Sequence, residues 1–476
     1  MRVAMKHDAN LAIRVRRIAL VCAVGLWAVI SGRYAVAATP TTHRPNIILF
    51  ISDDHGARDC GAYGDTVVRT PNIDRLAKQG MRFTHAFAES PLCSPSRCVI
   101  ATGLSPFRNG GHKFGTPIRP GLRTMPMYFR ELGYHTAHFG KFHHAPRKQF
   151  PYDKIDSKEK NAAAYLRRYD GNKPLLLVVC TRPPHTPWLK NKDYDPAAIK
   201  LPPNFIDTPQ TRADRADYYT DVTEMDRTLG QVMDAIEATG IADDTLLIYT
   251  TDQGANWPFG KWCLYDAGIR VPLIVRWNGR VKAAVTSEAL VSLADLLPTM
   301  MDAAGTRPPA APKQIDGKSF LDVLRGATTT HRDAIFAAHT GNDNGGPGVA
   351  NHCPTRSIRT ARHKLIVNLH PERTFYTHIV GCKPGNAHHL PFWNTWVKRA
   401  QSDPKAKRIV SAYLHRPAVE LYDLRDDPYE MHNLAADPAQ ANTLQSLRHR
   451  LNQWRRQQGD PEADSNDLSP PRGVTQ

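Results

Sequence analysis

The stretch Ile47-Ile48-Leu49-Phe50-Ile51-Ser52-Asp53-Asp54 decides the fold class of this 476-residue chain. Its first five residues form a continuous apolar run that leads into Ser52, which predicts a strand buried on both faces of a parallel sheet. The run ends in two adjacent carboxylates, Asp53 and Asp54. Because like charges repel, we expect a cation beside them.

A second run of the same kind, Thr245-Leu246-Leu247-Ile248-Tyr249-Thr250-Thr251, ends in Asp252 and Gln253. In open α/β sheets, ligands bind beyond the carboxyl ends of the strands, so these side chains should lie near Asp53 and Asp54. Either pair alone is more typical of a solvated turn or a helix cap, but the two pairs together favour a metal. An all-oxygen site suits calcium rather than zinc. We therefore expect one Ca²⁺ ion bound by Asp53, Asp54, Asp252 and Gln253.

Cationic and imidazole side chains follow two further strand-like runs. Lys141 and His143 come after Thr136-Ala137-His138-Phe139-Gly140, and His185 comes after Leu175-Leu176-Leu177-Val178-Val179-Cys180. Lys261 precedes another apolar segment. A lone histidine is more often packed or exposed than catalytic, and the chain has 21 of them, so the position after a strand is what favours a functional role.

Cys93 opens the segment Cys93-Ser94-Pro95-Ser96-Arg97, which leads into an expected helix. The free N–H groups and the dipole at a helix start favour an anion there. Taken alone, Cys93 could equally be a small buried apolar residue, as free cysteines often are.

These segments together resemble the sulfatases of the alkaline phosphatase superfamily. Cys93 to Arg97 resembles the C-x-P-x-R signature of that family, and Gly140 to His143 resembles its G-K-x-H element. Gly268-Ile269-Arg270-Val271-Pro272 resembles its G-[VI]-R-x-P element. Within the family, Asp207-Thr208-Pro209 and Pro354-Thr355-Arg356-Ser357-Ile358-Arg359-Thr360 are most similar to the heparan N-sulfatase (sulfamidase) group.

The resemblance implies a maturation enzyme that oxidises Cys93 to formylglycine, whose oxygen joins the calcium ligands. It also implies that six residues are catalytic: Cys93, Arg97, Lys141, His143, His185 and Lys261. His112 and Arg356 are candidate contacts to the sugar or its carboxylate. Two residues depart from the pattern: Gln253 stands where the family usually has Asn or His, and Lys261 stands where the mammalian sulfamidases have arginine.

The implied activity is hydrolysis of a sulfuric ester or sulfamate in a sulfated saccharide, with N-sulfoglucosamine of heparan or heparin as the expected substrate. An O-sulfatase acting on another sulfated polysaccharide, and a formylglycine-dependent phosphodiesterase or phosphonate hydrolase, remain alternatives. A non-catalytic binder of sulfated glycans is disfavoured, because a binder has no need of Cys93 or calcium. The sugar, the sulfated position, exo or endo action and the oligomeric state stay open.

The expected fold is α/β, with a large, mixed but mostly parallel sheet between helices, similar to alkaline phosphatase. A smaller C-terminal α+β domain should carry an antiparallel sheet. We expect a signal peptide over residues 1–37, a catalytic domain over 38–330, the C-terminal domain over 331–460 and a disordered tail over 461–476. Expected helices include 217–239, 289–304 and 438–457.

The first 37 residues indicate export. Three arginines precede the apolar run from Ile18 to Ile30, which is short for a membrane span, and Ala35-Val36-Ala37 offers a cleavage site. We therefore expect a periplasmic or secreted protein with no stable membrane insertion. The net charge of +17 favours a polyanionic partner, and export without a nucleic-acid-binding motif points to a sulfated glycan rather than nucleic acid.

Export also permits disulfides among the six cysteines that remain besides Cys22 and Cys93. The pair Cys353 and Cys382 is the first to test, whereas Cys98 and Cys180 are equally compatible with free buried thiols.

Overall fold

Nine strands form the large sheet of the computed structural model, which describes residues 44–306, 315–341, 353–382, 384–386 and 388–463. The strands are β1 (Asn46–Ser52), β2 (Met81–Phe87), β3 (His135–Gly140), β4 (Lys154–Asp156), β5 (Leu175–Cys180), β6 (Thr245–Thr251), β7 (Arg270–Arg276), β8 (Val285–Ser287) and β9 (Val291–Ser292). Their order across the sheet is β4-β3-β5-β1-β6-β7-β2-β8, with β9 paired to β2.

Strand β1 lies near the centre of this sheet, parallel to β5 on one side and β6 on the other. Strand β3 continues the parallel part beyond β5, whereas β7 runs antiparallel to both β6 and β2. The apolar side chains of β1 divide between two cores, one on each face of the sheet. The continuous apolar runs follow from this burial on both faces.

The helices cover the two faces and connect the strands. They are Pro71–Gln79, Cys93–Thr102, Pro106–Asn109, Met125–Glu131, Ala162–Leu166, Pro209–Ala238, Asp266–Ile269, Leu296–Ala303, Leu321–Leu324, His378–Gly381, Phe392–Arg399, Pro404–Leu414 and Ala441–Gln458. Within the described residues, no helix is both long and apolar enough to cross a lipid bilayer.

A second, antiparallel sheet contains β10 (Ile335–His339), β11 (Thr355–Arg359), β12 (His363–Asn368) and β13 (Val419–Asp423) in that order. The amide of Ala338 donates to the carbonyl of Glu89 at 2.9 Å. The Nζ atom of Lys364 lies 2.7 Å from the Oδ1 atom of Asp266, which joins this sheet to the larger part of the chain. The expected fold class, a mostly parallel mixed sheet with a smaller antiparallel one, is confirmed.

Three helix boundaries differ from the sequence prediction. The helix expected over 217–239 begins at Pro209, because the hydroxyl of Thr208 caps it by accepting from the Thr211 amide at 3.1 Å. The helix expected from residue 289 begins at Leu296, because Val291–Ser292 pair with β2 instead. A 3-10 turn, Pro438–Gln440, precedes the last helix, with Asp437 as its N-cap.

The expected signal peptide (1–37) and most of the expected disordered tail (464–476) lie outside the described residues. The proposed domain boundaries therefore stay predictions. The pairing of Cys353 with Cys382 stays a prediction; in the structure, the Sγ atom of Cys353 lies 3.7 Å from the carbonyl oxygen of Thr374.

Candidate active site

The carboxyl ends of β1 and β6 bring the acidic pairs together, as the sequence predicts. Ser52 and Thr251 are in register at the ends of these parallel strands. Directly beyond them, the amide of Asp54 donates to the Oδ1 atom of Asp252 at 3.2 Å. The side chains of Asp53, Asp54 and Asp252 are almost completely buried. Three carboxylates thus share one desolvated site.

Three buried or nearly buried cations face these carboxylates. The Nε and Nη2 atoms of Arg97 both lie 2.9 Å from Asp252 Oδ2. Lys261 Nζ lies 2.7 Å from Asp54 Oδ2, and Lys141 Nζ donates to Asp53 Oδ2. Burying a charge is costly unless it is paired, so this balance of charges is what allows the cluster to be buried.

Two oxygen atoms in the cluster have no hydrogen-bond donor. The Oε1 atom of Gln253 is buried without a partner, although its Nε2 donates to Asp54 Oδ1. The Oδ1 atom of Asp53 is also unpartnered, with Arg97 Nη2 3.7 Å away. Buried polar atoms are nearly always satisfied, so these oxygens fit a cation that binds oxygen ligands. Together with the other carboxylates they match the expected calcium ligand set.

The charges in the cluster shift the pKa values of its members. Burial alone would raise the pKa of Asp53, but Lys141, His185 and Arg97 outweigh it and hold that pKa well below its ordinary value. Burial raises the pKa of Asp252, Arg97 opposes the rise, and the other two carboxylates add to it. A bound cation would favour the ionised form of all three carboxylates.

Cys93 is the first residue of the helix Cys93–Thr102 and is buried. The helix has no side-chain cap at its start, so its first N–H groups remain available to an anion. Burial raises the pKa of the Cys93 thiol, while Lys141 and Lys261 lower it. Cys93 therefore lies within the electrostatic reach of the cationic part of the cluster.

Lys141 follows Gly140 at the end of β3. Gly140 has a φ of +88°, and a Cβ at this position would lie 1.9 Å from the carbonyl oxygen of Cys180. Only glycine fits here, and the next amide, that of Lys141, donates to the same carbonyl at 2.9 Å. This close contact between β3 and β5 positions the lysine next to Asp53.

His185 also belongs to the cluster. Its Nε2 atom lies 3.8 Å from Asp54 Oδ2, and its Nδ1 atom lies 2.5 Å from the backbone carbonyl of Thr186. Asp53, Asp54 and His185 each offer a ligand atom within 4.8 Å of the others. Burial lowers the pKa of His185, and Lys261 lowers it further, whereas the two carboxylates raise it.

His143 lies beside the cluster in a left-handed backbone conformation, with a φ of 39°. Burial lowers the pKa of His143 to about 3, and the charges of Lys141 and Arg97 contribute to the shift. Its Nδ1 atom is buried without a partner. At neutral pH, His143 is therefore an uncharged imidazole.

The two candidate sugar contacts have different surroundings. Arg356 is fully buried and forms a bidentate pair with Asp460, with both N–O distances 2.8 Å. It also donates to the carbonyl of His339 at 2.9 Å. The sequence expectation of a sugar contact is therefore wrong for Arg356, because its guanidinium is used inside the protein. The ring of His112 packs 5.4 Å from that of Phe107, and its role stays a prediction.

The sequence carries no signal for His388, which the structure places beside His185. Their ring centroids are 5.8 Å apart. His388 lies in a chain segment without hydrophobic periodicity or a recognisable motif, so only the folded chain reveals this neighbour.

Comparison with known proteins agrees with the fold and the site. Residues 45–160 and 152–306 match the family model Sulfatase, and residues 254–378 match the model described as N-sulphoglucosamine sulphohydrolase, C-terminal. An ulvan-active sulfatase of Formosa agariphila is 30% identical over 88% of this chain and 81% of its own. Human N-sulphoglucosamine sulphohydrolase is 27% identical over 88% of this chain and 91% of its own.

A solved structure of a protein in complex with its substrate D-glucosamine-2-N,6-O-disulfate has a TM-score of 0.67. It covers 89% of this chain and 100% of its own at 22% identity, and thus supports the fold. The sheet and the buried carboxylate cluster define a hydrolase with the alkaline phosphatase fold. The chain belongs to the sulfatase family, whose members hydrolyse sulfate from glycans.

Proposed function

We propose that this sulfatase removes the N-sulfate group of glucosamine at the non-reducing end of heparan or heparin saccharides. The observation that carries the proposal is the match of residues 254–378 to the C-terminal model of N-sulphoglucosamine sulphohydrolase. The similarity to the human enzyme of that name, which extends over most of both chains, supports it. Calcium, formylglycine and export are parts of the same proposal.

The residues present fit both groups that the family uses. Asp53, Asp54, Asp252 and Gln253 would hold calcium through oxygen atoms, two of which lack hydrogen-bond donors. The ion would supply positive charge next to Cys93. Formylglycine at position 93 would supply a hydrated aldehyde as the nucleophile and would allow sulfate to be released without a second attack at sulfur.

The lysines neutralise the charge that develops on the sulfate. Lys141 and Lys261 are held in place by Asp53 and Asp54, so their ammonium groups need no rearrangement during the reaction. Preorganised charges of this kind usually give the largest electrostatic contribution to catalysis. Burial would lower the pKa of Lys261, but Asp54 raises it above its ordinary value and keeps the side chain charged.

Two histidines move the protons. The Nδ1 atom of His185 donates to a backbone carbonyl, so Nε2 can deliver a proton to the departing nitrogen or oxygen when the ring is doubly protonated, a state that Asp54 and Asp53 favour. His143 is uncharged at neutral pH, and its buried Nδ1 atom, which has no hydrogen-bond partner, would be the acceptor for a proton released at position 93. When the S–N bond breaks, the amine would leave with the proton that His185 donates.

The proposal is tested by a desulfation screen of purified enzyme whose formylglycine content is known by peptide mass spectrometry. The panel contains N-sulfated and O-sulfated glucosamine, galactosamine and uronate saccharides, with ulvan oligosaccharides included because an ulvan-active sulfatase is 30% identical. Release of sulfate from N-sulfoglucosamine supports the proposal. Cleavage of only 6-O or 2-O sulfates would instead identify an O-sulfatase, and preferential cleavage of phosphate or phosphonate esters would identify the third alternative.

The site of action belongs to the proposal as well. We expect the mature protein to be periplasmic or secreted, because polymeric sulfated glycans are found outside the cytoplasm. N-terminal sequencing of protein recovered from a native host tests this, since the proposal requires cleavage after Ala37.

A further inference from the structure

Asp54, one of the expected calcium ligands, lies in a strained backbone conformation. Its φ is +65°, in the left-handed region that residues other than glycine seldom adopt. Such a conformation persists only where the surrounding structure holds it in place. The carboxylate of Asp54 also accepts from Lys261 Nζ at 2.7 Å, so the backbone at this point sets the position of a buried cation as well.

Two consecutive amides of the loop after β1 donate to side chains from the end of β6. The amide of Asp54 donates to Asp252 Oδ1 at 3.2 Å. The amide of His55 donates to the hydroxyl of Thr251, also at 3.2 Å. Thr251 is the last residue of β6, and Asp252 follows it directly. The loop is therefore fixed against the neighbouring strand on both sides of the strained residue.

The side chain of His55 adds a second connection between the same two segments. Its Nε2 atom lies 2.9 Å from the carbonyl oxygen of Asp59, and its Nδ1 atom lies 2.6 Å from the hydroxyl of Tyr249. Because a carbonyl oxygen only accepts, Nε2 carries a proton and donates to it. Tyr249 lies on β6, opposite Phe50 of β1, so the ring joins the loop after β1 to the adjacent strand.

His55 and Tyr249 are both fully buried. A fully buried ring does not contact the saccharide or the sulfate, which excludes a direct catalytic role for His55. Packing alone does not require a polar ring here, because an apolar side chain of similar size would fill the same space without buried nitrogens that must find partners. The paired nitrogens therefore indicate that the ring holds its neighbours in fixed positions.

We propose that His55 is a positioning residue, which holds the loop after β1 so that Asp54 presents its carboxylate to the metal and to Lys261. The ring acts one residue beyond the strained position, where it anchors the chain both to its own loop and to β6. The part of this proposal that concerns calcium rests on the proposed function. The contact between Asp54 and Lys261 is independent of the metal.

The test measures the affinity for Ca²⁺ by calorimetry, after chelation, in enzyme of known formylglycine content. His55→Phe keeps a ring and removes both hydrogen bonds, so we expect the Kd for Ca²⁺ to rise at least about tenfold. His55→Gln retains an N–H near the position of Nε2 and should recover most of the affinity. Excess Ca²⁺ should restore most of the kcat that His55→Phe loses at limiting Ca²⁺. A purely structural defect would not respond to calcium.

Two tyrosine variants keep the test decisive if His55→Phe does not fold. Tyr249→Phe removes only the hydroxyl that bonds to His55 Nδ1 and should raise the Kd for Ca²⁺ about threefold. Tyr63→Phe is the matched control: the hydroxyl of Tyr63 donates to the carbonyl of Phe83 at 2.9 Å, elsewhere in the large sheet, and its loss should leave the Kd unchanged. An unchanged Kd in the folded variants of His55 and Tyr249, or an equal rise in Tyr63→Phe, would overturn the proposal.

Failure of the calcium assignment can be told apart from failure of this proposal. If unaltered enzyme binds no Ca²⁺, the calcium part of the proposed function fails, and His55 is tested through the pair of Asp54 and Lys261. On the substrate that the desulfation screen identifies, kcat should then fall about tenfold in His55→Phe and stay unchanged in Tyr63→Phe. An unchanged kcat in folded His55→Phe would overturn the positioning role.

Discussion

Lys261 Nζ lies 2.7 Å from Asp54 Oδ2, and both side chains are almost completely buried. The same carboxylate accepts from Gln253 Nε2 through its other oxygen. The carboxylate of Asp54 thus contacts both the buried ammonium group of Lys261 and the side chain of Gln253, another expected calcium ligand. Under the proposed function, this arrangement would link calcium binding to the position of Lys261.

Removal of calcium should therefore affect both stability and activity. We expect exhaustive chelation to lower the melting temperature and abolish sulfate release, because three buried carboxylates would lose a neutralising cation. Added Ca²⁺ should restore both, and elemental analysis of active protein should find about one calcium ion per chain. Gln253→Asn is the matched control: it keeps the amide oxygen and should retain activity. Full activity after chelation, or zinc in the active protein, would contradict the assignment.

Cys93→Ala should abolish turnover while leaving the protein folded. Alanine is smaller than cysteine but apolar, and it fits the start of the helix Cys93–Thr102 without new polar groups. Because the nucleophile is lost, we expect kcat to fall at least about a thousandfold. Circular dichroism checks the fold, and peptide mass spectrometry of unaltered protein checks for formylglycine. Active enzyme with only unmodified cysteine at position 93 would refute this role.

Much of the site could be predicted from the sequence because its residues follow the buried strands. Strands β1, β5 and β6 are continuous apolar runs, and parallel strands present their carboxyl ends at one edge. The positions of Asp53, Asp252 and His185 follow from that rule alone. The family resemblance then supplies their chemical roles.

The rest depends on packing that a local pattern does not encode. Arg356 lies on β11, and nothing in its sequence neighbourhood distinguishes an exposed arginine from one buried against Asp460, 104 positions away. His388 contacts Thr186 across 202 positions. The start of the helix at Pro209 escapes a sequence prediction because the polar residues of its first turns break the apolar stripe.

Arg356 should affect stability rather than catalysis. Arg356→Met removes the bidentate partner of Asp460, although Arg455 Nε still lies 2.8 Å from that carboxylate. We expect a loss of about 3 kcal/mol in the free energy of unfolding, measured by urea denaturation, since a buried charge loses one partner. The kcat/KM of the folded variant should be unchanged. Arg362→Met, which removes a half-exposed arginine, should have little effect on stability. If Arg356→Met instead raises KM and leaves the stability unchanged, the sequence prediction of a sugar contact for Arg356 would be supported.

Glu89 should make stability depend on pH. Burial raises the pKa of Glu89 to about 7, and Ser292 Oγ donates to its Oε1 at 2.7 Å. Between the ordinary carboxyl pKa and 7, the folded protein holds a proton that the unfolded chain releases, so this group stabilises the fold at low pH and less as pH rises. Glu89→Gln is neutral throughout. Its melting temperature relative to unaltered protein should therefore increase from pH 5 to pH 8. A constant difference over this range would contradict the assignment.

His185 should matter most for substrates with poor leaving groups. Its Nδ1 atom donates to the Thr186 carbonyl, so Nε2, which lies 3.8 Å from Asp54 Oδ2, delivers a proton when the ring is doubly protonated. An amine or alkoxide departs slowly without that proton, so His185→Ala should lower kcat on N-sulfoglucosamine at least about a hundredfold. The p-nitrophenolate ion is stable without protonation, so the loss on p-nitrophenyl sulfate should be much smaller. His432→Ala, at an exposed histidine, should change neither rate. Equal losses on both substrates would mean that His185 positions the sulfate or the metal ligands instead of protonating the leaving group.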